Sequence, residues 1–93
     1  MANTSPGYGI TIRVEGRAEF QPVAEITTII SREGAMVTAL DVVESQINAV
    51  VIDVTCDAID VAHGDRITAA LGASPILNVK KVSDRTLDRK SVV

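Results

Sequence analysis

Hydrophobic and polar positions alternate most regularly between Ala35 and Cys56, and the rest of the chain arranges itself around that stretch. It predicts two consecutive strands, Ala35–Glu44 and Ala49–Cys56, joined by the polar connection Ser45–Asn48. In the second strand Val50, Ile52, Val54 and Cys56 share one face, and Asp53 and Thr55 the other. That is the period of a half-buried sheet. β-Branched residues dominate both runs, and their stiff side chains suit a pleated surface. Tyr8–Glu15 repeats the pattern, with Ile10, Ile12 and Val14 between Thr11, Arg13 and Glu15. Ile76–Ser83 gives a fourth strand, in which Lys80 and Lys81 supply the charge that guards an edge.

Between these strands the period changes. Gln21–Glu33 places Val23, Ile26, Ile29 and Ile30 on one helical stripe. Pro22 suits the first turn, where its missing N–H costs nothing. Arg32 falls in the last turn, and Gly34 follows where helices commonly end in a left-handed residue. Isoleucines are poor intrinsic helix formers, so packing rather than propensity must hold this helix. A second helix is expected over Val61–Leu71, capped by Asp60, with His63, Ile67, Ala70 and Leu71 on one face. Gly64 beside that face permits close approach to the sheet. Gly16–Phe20 reads as a loop, with Gly16 in a turn that a Cβ would oppose.

The order is βαββαβ. Two right-handed crossovers around a central hairpin give an α+β, ferredoxin-like domain: a four-stranded antiparallel sheet of order 4-1-3-2 with both helices on one face. The other face would carry Thr11, Arg13, Asp53 and Thr55. The edges are then Ile76–Ser83 and Ala35–Glu44. The latter has no lysine and is apolar on both sides, with Met36, Leu40 and Val42 on one and Val37, Ala39 and Val43 on the other. Such an edge is a pairing hazard unless something pairs with it or shields it. A homodimer through Ala35–Glu44 is the expected solution.

Length and composition narrow the functions. Ninety-three residues make one domain, over 8–86, with 1–7 and 87–93 expected as flexible termini. The core must be aliphatic, because there is no Trp, one Tyr and one Phe. A net charge of −3 and few aromatics argue against nucleic acid. Nothing approaches the ~20 apolar residues of a membrane span, and residues 1–7 lack the regions of a signal peptide. The single Cys56 cannot form an internal disulfide, which fits a cytoplasmic setting, and its strand position reads as a buried structural thiol.

Chemistry is sparse. His63 is the only histidine and sits on an apolar stripe, so a core residue is expected rather than a base. No nucleophile elbow, phosphate-cradling glycine loop or cysteine pair for a metal is present, and the aspartates lack calcium-loop spacing. Neither a cofactor nor a metal is expected. One enzymatic reading stays open, a small acylphosphatase-like hydrolase on the same fold. It would use Arg17 in the first loop and Asn48 on the hairpin. A purely structural dimerisation domain without ligand is the other alternative.

The βαββαβ order, the helix ending at Gly34 and the segment Ala35-Met36-Val37-Thr38-Ala39-Leu40-Asp41-Val42 resemble an ACT domain. Val37–Val42, Ile52–Cys56 and Lys81-Val82-Ser83-Asp84-Arg85-Thr86 are similar to the regulatory ACT domain that precedes the catalytic part of certain bacterial NAD-dependent malic enzymes. After Thr86 the sequence runs only from Leu87 to Val93, without that catalytic part. The resemblance implies a non-catalytic regulatory and dimerisation module that senses a small, amino-acid-like effector. It implies a malic-enzyme catalytic domain as partner. It places the effector where Gly16, Arg17, Pro22 and Val23 of one subunit meet Gly34, Val37 and Thr38 of its neighbour, with helix N–H groups near Pro22–Ala24 holding a carboxylate. The loop Glu15–Pro22 departs from the Asp-x-x-Gly-like segment of many amino-acid-binding members.

Overall fold

The computed structural model describes residues 8–84. The expected termini, 1–7 and 87–93, lie outside the described residues, as do Arg85 and Thr86 of the last resembling segment. Strand β1 spans Tyr8–Arg17. A short 3-10 helix at Ala18–Phe20 leads into α1, Pro22–Arg32. Strands β2, Met36–Ser45, and β3, Ala49–Ala58, form the hairpin. Helix α2, Val61–Gly72, and strand β4, Leu77–Asp84, follow. The four strands make one sheet of order β2-β3-β1-β4, the 4-1-3-2 arrangement, and all three neighbouring pairs are antiparallel. This is the ferredoxin-like α+β fold.

The core is the layer between sheet and helices. Ile10, Ile12 and Val14 of β1 alternate inward with Ile52, Val54 and Cys56 of β3, because register pairs Ile12 with Val54 and Val14 with Ile52. Ile26, Ile29 and Ile30 of α1 and Ile67 and Leu71 of α2 close it from above. All of these are buried. Removing that aliphatic surface from water is the main term holding the fold.

Four residues set how the helices meet the sheet. Gly34 has φ +82°, so α1 ends in the left-handed residue its position suggested. Asp60 caps α2, its side chain accepting the His63 N–H at 2.9 Å. Gly64 lies under the Tyr8 ring, where a Cβ would come within 3.1 Å of it. Gly16 corrects the sequence reading. It is not in a turn but inside β1, paired with Val50 and Leu77. Its missing Cβ matters because α1 starts against it: a Cβ there would lie 2.7 Å from Pro22 Cβ.

The predicted elements are a residue or two off at their ends. β1 runs on through Arg17, β2 covers Met36–Ser45 rather than Ala35–Glu44, and Gln21 precedes α1 instead of belonging to it. A larger difference is in β2. Register against β3 shifts between Val37 and Ala39 and again between Val42 and Glu44. Thr38 and Val43 are therefore extra residues, and each reverses the facing of what precedes it. Val37, Leu40 and Val42 stand opposite Cys56, Val54 and Ile52, on the helix side. Met36, Ala39 and Asp41 stand opposite Asp57, Thr55 and Asp53, on the open side. Simple alternation had grouped Met36 with Leu40 and Val42.

Candidate functional site

The residues proposed for effector binding fall into two groups. At one end of the sheet β1 finishes at Arg17 and α1 begins at Pro22. Gly16 is buried beneath Pro22. Arg17 is exposed; its Nη2 donates to Glu19 Oε1 at 3.3 Å, and its guanidinium lies 5.8 Å from the centre of the Phe20 ring. Gln21 holds a left-handed backbone at φ 56°, an uncommon conformation for a residue with a Cβ, and gives α1 no side-chain cap. Pro22 has no N–H, so the donors at the head of α1 are those of Val23 and Ala24. Val23 was expected on the buried stripe. It is 39% exposed, because the stripe that meets the sheet begins with Pro22 and Ile26 instead.

At the other end of α1 are Gly34, Val37 and Thr38. Val37 is half-buried, and Thr38 is exposed, its Oγ1 donating to the Thr55 carbonyl at 3.3 Å. The two groups are separated by the length of α1, about 16 Å for eleven residues. One chain does not bring them together.

Each group opens onto a hollow of its own. Arg17 and Phe20 line a cleft of about 300 Å³ with Ala49, Ile76 and Asn78. The contribution of β4's first residues to this cleft was not read from the sequence; the signal available was Phe20, an aromatic amid polar neighbours. Beside β2, where α1 leaves the edge of the sheet uncovered, Thr28, Ser31, Ala35 and Val37 line an open groove of about 800 Å³.

The open face of the sheet carries two paired sets of polar side chains. Arg13 makes a two-pronged contact with Asp53, Nε to Oδ1 at 2.8 Å and Nη2 to Oδ2 at 2.9 Å. The guanidinium hydrogen bonds hold the Asp53 carboxyl below its ordinary pKa. Thr11 and Thr55 share a hydroxyl–hydroxyl bond of 2.9 Å. A charge row crosses the four strands here, Asp41 and Asp53 on β2 and β3, Arg13 and Lys81 on β1 and β4.

The groups that could carry chemistry are engaged structurally. His63 is 2% exposed. Its Nδ1 accepts the Ile59 N–H at 2.9 Å, so its Nε2 carries the proton and donates to the Glu33 carbonyl at 2.6 Å. Cys56 is buried, and burial pushes its thiol up to about 11. The hairpin tip approaches the first connection through a bond from the Ala18 N–H to the Asn48 carbonyl at 3.2 Å, which uses Asn48's backbone. No cluster of three potential metal ligands occurs among the described residues. No described helix is long and apolar enough to cross a membrane.

No family model and no curated protein matches the sequence. Among solved structures, the chain is similar to the C-terminal domain of the MgtC protein from Mycobacterium tuberculosis, with a TM-score of 0.60 at 17% identity over 88% of this chain and 89% of that one. It also aligns with a de novo designed protein, Ferredog-Diesel, at a TM-score of 0.48 and 14% identity, over 87% of this chain and 92% of the design. At such identities the MgtC likeness speaks for the fold alone.

Proposed function

We propose that this chain is a non-catalytic regulatory module of the ACT type, which pairs with a second copy through β2 and binds a small, amino-acid-like effector between the two. The observation that carries the reading is the division of the candidate residues. Gly16, Arg17, Pro22 and Val23 sit at one end of α1, and Gly34, Val37 and Thr38 at the other. Across the sheet, Gly16 pairs with Val50 and Val50 with Ser45, so the end of β2 belongs to the same end of the molecule as Gly16. Two-fold pairing of β2 runs the strands antiparallel. It sets the Gly34–Thr38 end of one copy alongside the Gly16–Arg17 end of the other. The uncapped N–H groups of Val23 and Ala24, with Arg17, then suit a carboxylate.

β2 supports this role. It carries no lysine, and Met36 is 68% exposed. The opposite edge is guarded: Lys80 reaches Glu15 at 3.5 Å, and Lys81 lies next to Arg13. Regulation would follow from an effector that prefers one packing of the pair over another. The resemblance assigns the catalytic part of an NAD-dependent malic enzyme as the regulated partner.

Sedimentation equilibrium and thermal melting against a panel of amino acids test the reading together. A dimer whose Tm rises with one member of the panel is expected. A strict monomer at high concentration, with no Tm shift from any amino acid, would overturn it. Turnover of an acyl phosphate would favour the hydrolase alternative instead.

A further inference from the structure

The most exposed large apolar side chain among the described residues lies on the same edge as the groove beside β2; a second exposed pair, Ile59 and Val61, lies apart from it at the start of α2. Ile47, at the turn between β2 and β3, is 94% exposed. Chains do not usually leave an isoleucine so bare at a hairpin turn, where Gly, Asn or Asp are favoured. At the other end of the same strand, the groove between the last turns of α1 and the start of β2 is lined by Thr28, Ser31, Ala35 and Val37. Tip and groove are thus at opposite ends of one strand. That is the placement a self-complementary, two-fold contact requires, since each copy then offers its tip to the other's groove.

We infer that Ile47 is the apolar anchor of the β2 pairing, seated in the groove between α1 and β2 of the second copy. This rests on the two-fold pairing proposed above and adds its register and its main contact. The bulges at Thr38 and Val43 leave only Ala39–Val42 regular on the edge. Residues directly opposite in an antiparallel pair face the same way, so the two-fold axis must pass at a residue rather than between two. An axis at Asp41 would set the two Asp41 carboxylates against each other on the open face, which is unfavourable. An axis at Leu40 sets Asp41 opposite Ala39 and keeps Leu40 on the helix side, beside its own copy. Ser45 then lies opposite Ala35 of the second copy, and Ile47, in the turn beyond it, comes level with Glu33, at the Arg32–Ala35 end of the groove. So short a regular segment supplies few ladder bonds. The buried isoleucine contributes the apolar area they lack.

Sedimentation equilibrium of the full chain and of its Ile47→Asp variant tests this, with Tm as the check on folding. Ile47 touches no core, so the variant keeps the Tm of the natural chain at concentrations low enough for both to be monomeric. The expected result is a dimer for the natural chain and a dissociation constant raised about tenfold or more in the variant. Equal dimerisation of the two proteins overturns the anchor and leaves the pairing standing. A natural chain that stays monomeric at millimolar concentration removes the pairing and the anchor with it. Oxidative crosslinking supplies a second readout: Ser31→Cys/Ile47→Cys should form a covalent dimer, whereas Ile47→Cys alone should not, because the two tips lie at opposite ends of the interface. The reverse pattern overturns the register.

Discussion

His63 does at the residue scale what the single histidine of a small domain most often does, which is to hold elements together. Its two ring nitrogens satisfy one backbone donor before α2 and one backbone acceptor after α1. Substitution by Ala leaves the Ile59 N–H and the Glu33 carbonyl without those partners, and His63→Ala is expected to cost about 3 kcal/mol, read by urea unfolding. Its burial was legible from its place on an apolar stripe. Its partners were not, because Glu33 is thirty positions away and joins it only through the packing of the helices. Asp53 offers a pH test. Its carboxyl binds a proton less readily folded than unfolded, so its contribution is complete above about pH 4 and is lost as pH falls below that. Asp53→Asn should therefore lower Tm slightly near neutral pH and leave it unchanged in strong acid, flattening the acid-side fall by that same small amount, since the pair is solvent-accessible.

Elements were legible where the pattern was regular. β1, β3 and the two helices follow from periods of two and 3.6, and the strand order follows from the handedness of the crossovers. Two features were not. A bulge leaves no mark in composition: Thr38 and Val43 are ordinary β-formers, and only pairing with β3 shows that each is extra. The seating of α1 on β1 was equally hidden. Gly16 resembles a turn glycine in sequence, whereas its function is to let Pro22 approach. Gly16→Ala should cost about 1–3 kcal/mol by thermal or chemical unfolding, because the neighbour to be displaced is a proline ring fixed to the backbone. The head of α1 would shift with it, so the effector binding proposed above should weaken in the same variant. The candidate site was legible as a set of residues but not as a geometry. Nothing in the spacing of Arg17 and Val37 says that a helix holds them apart.

For the whole molecule, the two edges of the sheet differ in kind. β4 is charged and bonded to its neighbour; β2 lacks lysine and exposes Met36 and Val42, though the register puts Asp41 and Glu44 on its open side rather than leaving both sides apolar. It is bulged at two points and flanked by a groove and an exposed tip. Pairing through β2 would turn four strands into eight and join two half-sites into two whole ones. The most direct measurement of this is amide hydrogen exchange, strand by strand, at rising protein concentration. The outward-facing amides of Ala39–Val42 should become protected as concentration rises, while β1 and β3 stay equally protected throughout. Amides of β2 that exchange as fast at millimolar concentration as at micromolar would contradict the account.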